Sequence, residues 1–264
     1  MSKFVRCFLL ILGFLGVICV YSGAAAIEKP GEELQEVGIK QRLGEIVDLS
    51  LPLTSADGDS RPIKSILDEG KPIMLVPVYF ECPRLCGLLL SGVLELLNNM
   101  DLELGKDFQV LTVSFDPSEG PKLAQKRAAE YRSKLTKGGE NSSNWHFAVG
   151  ADADIDALMR QIGFQYKPDG KDFAHTAAVI ILTPEGEISQ YFTGIEFSPW
   201  DVRLALVEAS RGKVGSLFDQ VLLFCFRYDH LQGKYTWAAF NFVRVGAILS
   251  VLGLISLVYF AARR

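Results

Sequence analysis

Residues 73–80 read Ile-Met-Leu-Val-Pro-Val-Tyr-Phe, an apolar run with no polar face. A strand with one wet face alternates polar and apolar residues, so a continuous run predicts a strand buried on both sides. Such strands need layers on both faces of their sheet. A second run, Phe108 to Phe115, ends at Asp116-Pro117. Between the two runs, Leu89, Val93, Leu96, Leu97 and Met100 fall on one face of a helix, although Gly87 and Gly92 weaken that pattern. Helices are predicted over 121–135, 153–163 and 198–210, and a polar loop over 136–144. Ala177–Leu182 and Ile188–Phe192 flank Pro184-Glu185-Gly186 and predict a hairpin. Leu51–Thr54 reads as a short strand before an Asp57-Gly58 turn. Pro77 predicts a kink or bulge in the first buried strand. Alternation of this kind predicts an α/β sandwich with a mixed sheet.

The two ends carry membrane signals, and they account for a mean hydropathy of +0.21. Lys3 and Arg6 precede an apolar stretch from Cys7 to Tyr21, followed by Ser22, Gly23 and Ala24–Ala26. That stretch is short for a spanning helix, which needs about 20 residues, and fits a cleaved signal peptide over 1–26. Residues 240–262 form a second apolar stretch, interrupted by Arg244 and closed by Arg263-Arg264, and read as one C-terminal transmembrane helix. Both sets of positive charges fall on the cytoplasmic side if the middle of the chain is exported. The expected order is then a signal peptide (1–26), an arm (27–45), a folded domain (46–212), a juxtamembrane segment (213–239) and the anchor (240–262). The domain would face the periplasm from the inner membrane, where disulfides are permitted. A net charge of −4 offers no basic surface for nucleic acid.

Loss of the signal peptide removes Cys7 and Cys19 and leaves Cys82, Cys86 and Cys225. Cys82 and Cys86 stand where the first buried strand meets the first helix. If the helix begins at Cys82, a spacing of four sets both sulfurs on one face, one turn apart. A helix N-terminus favours thiolates, and Arg84 between the cysteines acts the same way. Such a pair suits reversible thiol chemistry, capture of a soft metal ion or a plain structural disulfide. For a metal, a neutral imidazole is the natural third donor. Of the three histidines, His146 reads as a packing or surface residue and His230 lies near the anchor. His175 precedes an apolar strand, which by periodicity alone makes it a histidine at a strand start. Cys225 reads as an apolar juxtamembrane residue.

Three segments taken together are more specific: Val78-Tyr79-Phe80-Glu81-Cys82-Pro83-Arg84-Leu85-Cys86, then Val113-Ser114-Phe115-Asp116-Pro117, then Asp172-Phe173-Ala174-His175 ahead of a strand and a Pro-x-Gly turn. In order and separation they resemble the SCO (SenC) family over roughly residues 45 to 210. The resemblance implies a thioredoxin-like three-layer sandwich, with Cys82, Cys86 and His175 as ligands of Cu(I) or Cu(II). It also implies a copper metallochaperone acting on the dinuclear copper site of cytochrome c oxidase subunit II. A carrier of that kind is not an enzyme in the strict sense. The alternative it leaves open is a thiol–disulfide oxidoreductase that reduces the cysteines of that site or of other exported proteins, with Cys82 and Cys86 as the catalytic pair. The chain departs from the common family pattern at Arg84 and Ala174, where many members carry Asp, and in its C-terminal anchor.

Overall fold

A computed structural model describes residues 37–137, 139–170 and 172–213, with 228–229, 234–235 and 250. The signal peptide, Cys225 and His230 lie outside the described residues, as does all of the 240–262 segment except Ser250. Among the described residues no helix is long and apolar enough to cross a membrane.

The described residues begin with β1 (Gly38–Ile39), the hairpin β2 (Pro52–Ser55) and β3 (Ser60–Pro62), and one helical turn, α1 (Ile63–Ile66). The two predicted runs follow as β4 (Ile73–Val78) and β5 (Gln109–Ser114), joined through α2 (Leu85–Asn99). Next come α3 (Pro121–Arg132), β6 (Trp145–Val149) and α4 (Asp152–Gln161). Three short strands, β7 (Phe164–Gln165), β8 (Lys167–Asp169) and β9 (Asp172–Ala174), lead to the hairpin β10 (Ala178–Leu182) and β11 (Ile188–Thr193). Helix α5 (Pro199–Ala209) closes the domain.

Seven strands form one sheet in the order β11-β10-β4-β5-β6-β2-β3. β4, β5 and β6 are parallel, whereas β10 and β2 run antiparallel to their neighbours, so the sheet is mixed as predicted. β4, β5 and β10 are buried at every position, which requires cover on both faces. The hydrophobic pattern thus fixes the layering, with each fully buried Leu, Ile or Phe contributing about 1.5–3 kcal/mol.

Pro77 causes no bulge: the β4–β5 register is unbroken from Ile73↔Gln109 to Val78↔Ser114. The Val78 carbonyl accepts from the Phe115 N–H at 2.7 Å, so Val78 faces β5 and its neighbour Pro77 faces β10. Pairing with β10 has already ended at Leu75, so the missing proline N–H costs no ladder bond. β6 goes unpredicted because its five residues follow a polar segment and contain His146. The expected arm is in part fixed, since β1 pairs with β7 and the Lys40 N–H donates to the Gly163 carbonyl at 2.8 Å. Gly92 fits its helix for a packing reason: a Cβ there would stand 1.8 Å from the Ile195 carbonyl oxygen. That close approach seats α2 against the segment leading into α5.

Candidate metal and thiol site

Register brings the distant histidine to the cysteines. Ile180 of β10 lies opposite Leu75 of β4, and the strands are antiparallel. Five residues back along β10 is His175, and five residues forward along β4 is Phe80, so the start of β10 meets the loop that carries Cys82.

Helix α2 begins at Leu85 and not at Cys82, with Arg84 as its N-cap. Cys82 therefore precedes the helix, and Pro83 does not occupy its first turn. The two cysteines still meet, by a different contact. The Cys86 N–H, one of the donors left free at the helix start, donates to the Cys82 Sγ at 3.3 Å. Cys86 itself is buried in the α2 face formed with Leu89, Leu90 and Val93, and its sulfur accepts from the Tyr79 N–H at 3.4 Å.

His175 Nε2 lies 3.4 Å from the Cys86 Sγ. Its Nδ1 is 2.9 Å from the Thr176 carbonyl, which fixes the proton on Nδ1 and leaves the Nε2 lone pair facing the sulfurs. One donor atom each from Cys82, Cys86 and His175 lie within 4.8 Å of one another. The structure thus assembles all three predicted residues into one cluster. Both cysteines are free thiols.

The two sulfurs differ. Burial raises the Cys82 thiol, but hydrogen bonds from the Cys86 and Arg84 backbone N–H groups, with the Tyr79 hydroxyl and Cys86, outweigh it and the net direction is down. Burial pushes the Cys86 thiol strongly up, and the adjacent Cys82 adds to that, against the opposing Tyr79 N–H. Burial also lowers His175, partly offset by its bond to Thr176, so the ring is neutral at pH 7. Cys82 is the partly exposed member of the pair and the one whose thiolate is favoured, and Cys86, only 1% exposed, is the protected one.

Aromatic rings enclose the imidazole. Its centroid lies 5.1 Å from Phe115, 5.7 Å from Tyr79 and 6.2 Å from Phe164. Tyr166 and Phe173 pack behind Phe115 at 4.7 and 5.7 Å. Tyr79, Phe115 and Phe173 stand inside the three sequence segments, yet nothing in the sequence assigns them to a cage. Their aromatic character beside the cysteines and histidine was the available signal. Asp116, which has no predicted chemical role, accepts from the Ser118 N–H at 2.9 Å and lines a cleft with Tyr166 and Phe173. His146 packs on β6, far in register from the sulfurs, with a buried Nε2 that has no hydrogen-bond partner among the described residues.

A sequence model described as SCO1/SenC matches residues 47–206. The chain is 23% identical over 155 residues to the SCO1 protein homolog of Bacillus subtilis (strain 168), covering 57% of this chain and 76% of that one. Among solved structures, a protein of Aquifex aeolicus VF5 provisionally described as an electron transfer protein is 28% identical, with a TM-score of 0.57 over 65% of this chain and 96% of the other. Arabidopsis thaliana ScoI with copper bound shares the fold at 17% identity, with a TM-score of 0.50 over 65% and 99% of the two chains. Because the family match runs from Val47 through Leu206, and so takes in every element that builds the pocket around Cys82 and His175, the chain belongs to the SCO1/SenC family.

Proposed function

We propose that this protein is a membrane-tethered, extracytoplasmic copper carrier that helps assemble the dinuclear copper site of cytochrome c oxidase subunit II. The observation that carries the proposal is the convergence of two sulfurs and one imidazole nitrogen within 4.8 Å. Two thiolates and a neutral imidazole form a soft, low-coordinate donor set that suits Cu(I) and also accepts Cu(II). Family membership and the copper-bound ScoI of similar fold support the same cargo. The two terminal apolar segments support the tether and the exported side.

Each residue has a task in loading. Cys82 presents the more acidic sulfur at the surface. Cys86 gives up its proton when cargo binds, since only the thiolate is a good ligand. The Thr176 carbonyl holds the His175 Nδ1–H, so that Nε2 faces the pair. The aromatic cage keeps water from the buried side. Partial exposure of Cys82 leaves one sulfur open to ligand exchange with an acceptor that offers further thiolates. Arg84 is exposed beside the site, where its charge favours thiolates and acts against a bound cation.

The test is a titration of the reduced, purified chain with Cu(I) and with Cu(II), repeated on His175→Ala. The expected result is one copper per chain, bound more weakly by the variant, with little change in the dithiol redox couple. Binding indifferent to His175 would overturn the copper assignment. It would favour the oxidoreductase, which a separate observation supports: a partly exposed sulfur whose thiolate is favoured and a protected buried one match the attacking and resolving thiols of disulfide exchange.

A further inference from the structure

The segment that carries Cys82 leaves the sheet at Val78, and its peptide groups then lack ladder partners. Two side chains from elsewhere supply them. The Glu119 carboxylate accepts from the Phe80 N–H and from the Glu81 N–H, each at 2.7 Å, one on each oxygen. The Arg127 Nε–H donates to the Phe80 carbonyl at 2.9 Å, and a second guanidinium nitrogen donates to the same oxygen. Three backbone groups in the two residues before Cys82 are thus held by side chains. Glu119 is itself 8% exposed and takes a third bond from the Ser114 hydroxyl at 2.5 Å. Arg127 projects from α3 and is tied by its other nitrogen to Glu130 at 2.9 Å.

We infer that Glu119 and Arg127 are positioning residues that set the Cys82 sulfur against the Cys86 N–H and its thiol. Cys82 follows directly on the clamped peptides, and its own N–H donates to the Tyr79 carbonyl at 3.4 Å. Its place therefore depends on how Phe80 and Glu81 are held. A buried carboxylate that receives three donors holds them in one arrangement, because any other leaves N–H groups unpaired in the interior. A glutamine amide could not do the work of the Glu119 carboxylate, since its nitrogen would face one of the two N–H donors. The functional meaning of the clamp rests on the site proposed above, but its geometry is testable without copper.

The measurement is the equilibrium of the purified full chain with glutathione, in which the Cys82 and Cys86 thiols pass two electrons and two protons to one glutathione disulfide, giving a protein disulfide and two glutathione thiols. Its constant reports how closely the two sulfurs are held. Trapped thiols are located by mass mapping, since trypsin cuts after Arg84 and separates the two cysteines. Gln109→Ala is the matched control. Gln109 is 1% exposed and clamps Asp68 at the opposite end of β5, accepting from its N–H at 2.7 Å and donating to its carbonyl at 2.8 Å. Glu119→Gln should lower the closure constant roughly tenfold, a shift of about 30 mV. Arg127→Ala should move it the same way, and Arg127→Lys should recover part of the loss. Gln109→Ala should lower the melting temperature yet leave the constant within about twofold, within the spread of a single remote hydrogen bond. Ser114→Ala, which removes one of the three bonds to Glu119, serves if Glu119→Gln does not fold. Closure in the Glu119 or Ser114 variant that matches the Gln109 control, or that becomes easier, overturns the inference. A wild-type chain that bound no copper would overturn the copper assignment alone.

Discussion

Phe115 offers a quantitative test of how the pocket is built. Its ring is fully buried, with aromatic neighbours Tyr166, His175, Phe164, Tyr79 and Phe173 at centroid distances of 4.7, 5.1, 5.3, 5.5 and 5.7 Å. Truncation to alanine in a packed core costs about 3–5 kcal/mol, because the cavity left behind closes only in part. Each favourable ring pair adds about 0.5–1.5 kcal/mol beyond the area it buries. Phe115→Ala should therefore fall at the upper end, near 4–5 kcal/mol, a large share of the roughly 5–15 kcal/mol that holds a typical domain together. Phe115→Leu keeps most of the volume and should cost less than half as much. Urea unfolding of the full chain, followed by circular dichroism, measures both. The variants also separate packing from function. If the cage acts by orienting the imidazole, Phe115→Leu should weaken copper binding in the wild-type background but not further in His175→Ala, a non-additive cycle. A loss below about 2 kcal/mol for Phe115→Ala, or full additivity in copper binding, would refute the idea that Phe115 is the centre of the cage.

Iodoacetamide at pH 7 should label Cys82 well before Cys86 in the reduced chain, because one sulfur is partly exposed and lowered while the other is buried and raised; equal labelling would contradict the asymmetry. Burial, with Arg132 adding to it, pushes His146 down to about 4 from 6.5. Between those values the unfolded chain binds the extra proton, so stability rises with pH across the window and is lost as pH falls through it, by about 3 kcal/mol in full. His146→Gln should flatten the stability profile between about pH 4 and 6.5, and an unchanged slope would assign it to other groups.

Some parts of this molecule are written locally and others are not. β4 and β10 are legible because burial on both faces forces an unbroken apolar run. β5 is legible because Val110, Leu111, Val113 and the flanking Phe108 and Phe115 outweigh its buried Gln109, Thr112 and Ser114, and the α2 face is legible from its Leu and Val spacing. β1, β7, β8 and β9 have two or three residues each, too few to show a period, and they form only because they pair with one another. His175 on its own carries no signal beyond the start of a strand; its meaning came from standing in sequence register with two other segments. Glu119 and Arg127 are the clearest case of what stays hidden. Glu119 lies 38 and 39 residues from the two peptides it binds and Arg127 lies 47 from its one, and a Glu in a Ser-Glu-Gly turn or an Arg in a polar helix looks like ordinary solvated surface.

The carrier and the oxidoreductase make different demands on one proton inventory, and the geometry shows where they part. Disulfide exchange needs a thiolate at Cys82 and a thiol at Cys86 that is kept back until the mixed disulfide forms. The resting structure favours both conditions without His175, since backbone N–H groups support the Cys82 thiolate and burial keeps the Cys86 proton in place. Metal capture needs more: the Cys86 proton must leave a sulfur that burial holds protonated, and a lone pair must be free on the third donor. His175 Nε2, 3.4 Å from that sulfur, is one acceptor within reach of the proton, yet as the proposed third ligand it cannot keep a proton and bind a metal at once. A proton taken up by the ring must therefore pass on to solvent during loading. A neutral imidazole, lowered by burial and tied through Nδ1 to Thr176, holds a proton at Nε2 more weakly than a free ring does. An imidazole in that state, at that distance, has no necessary part in thiol exchange but serves two needs of metal loading. For that reason the position of His175, more than the cysteine pair, favours the carrier.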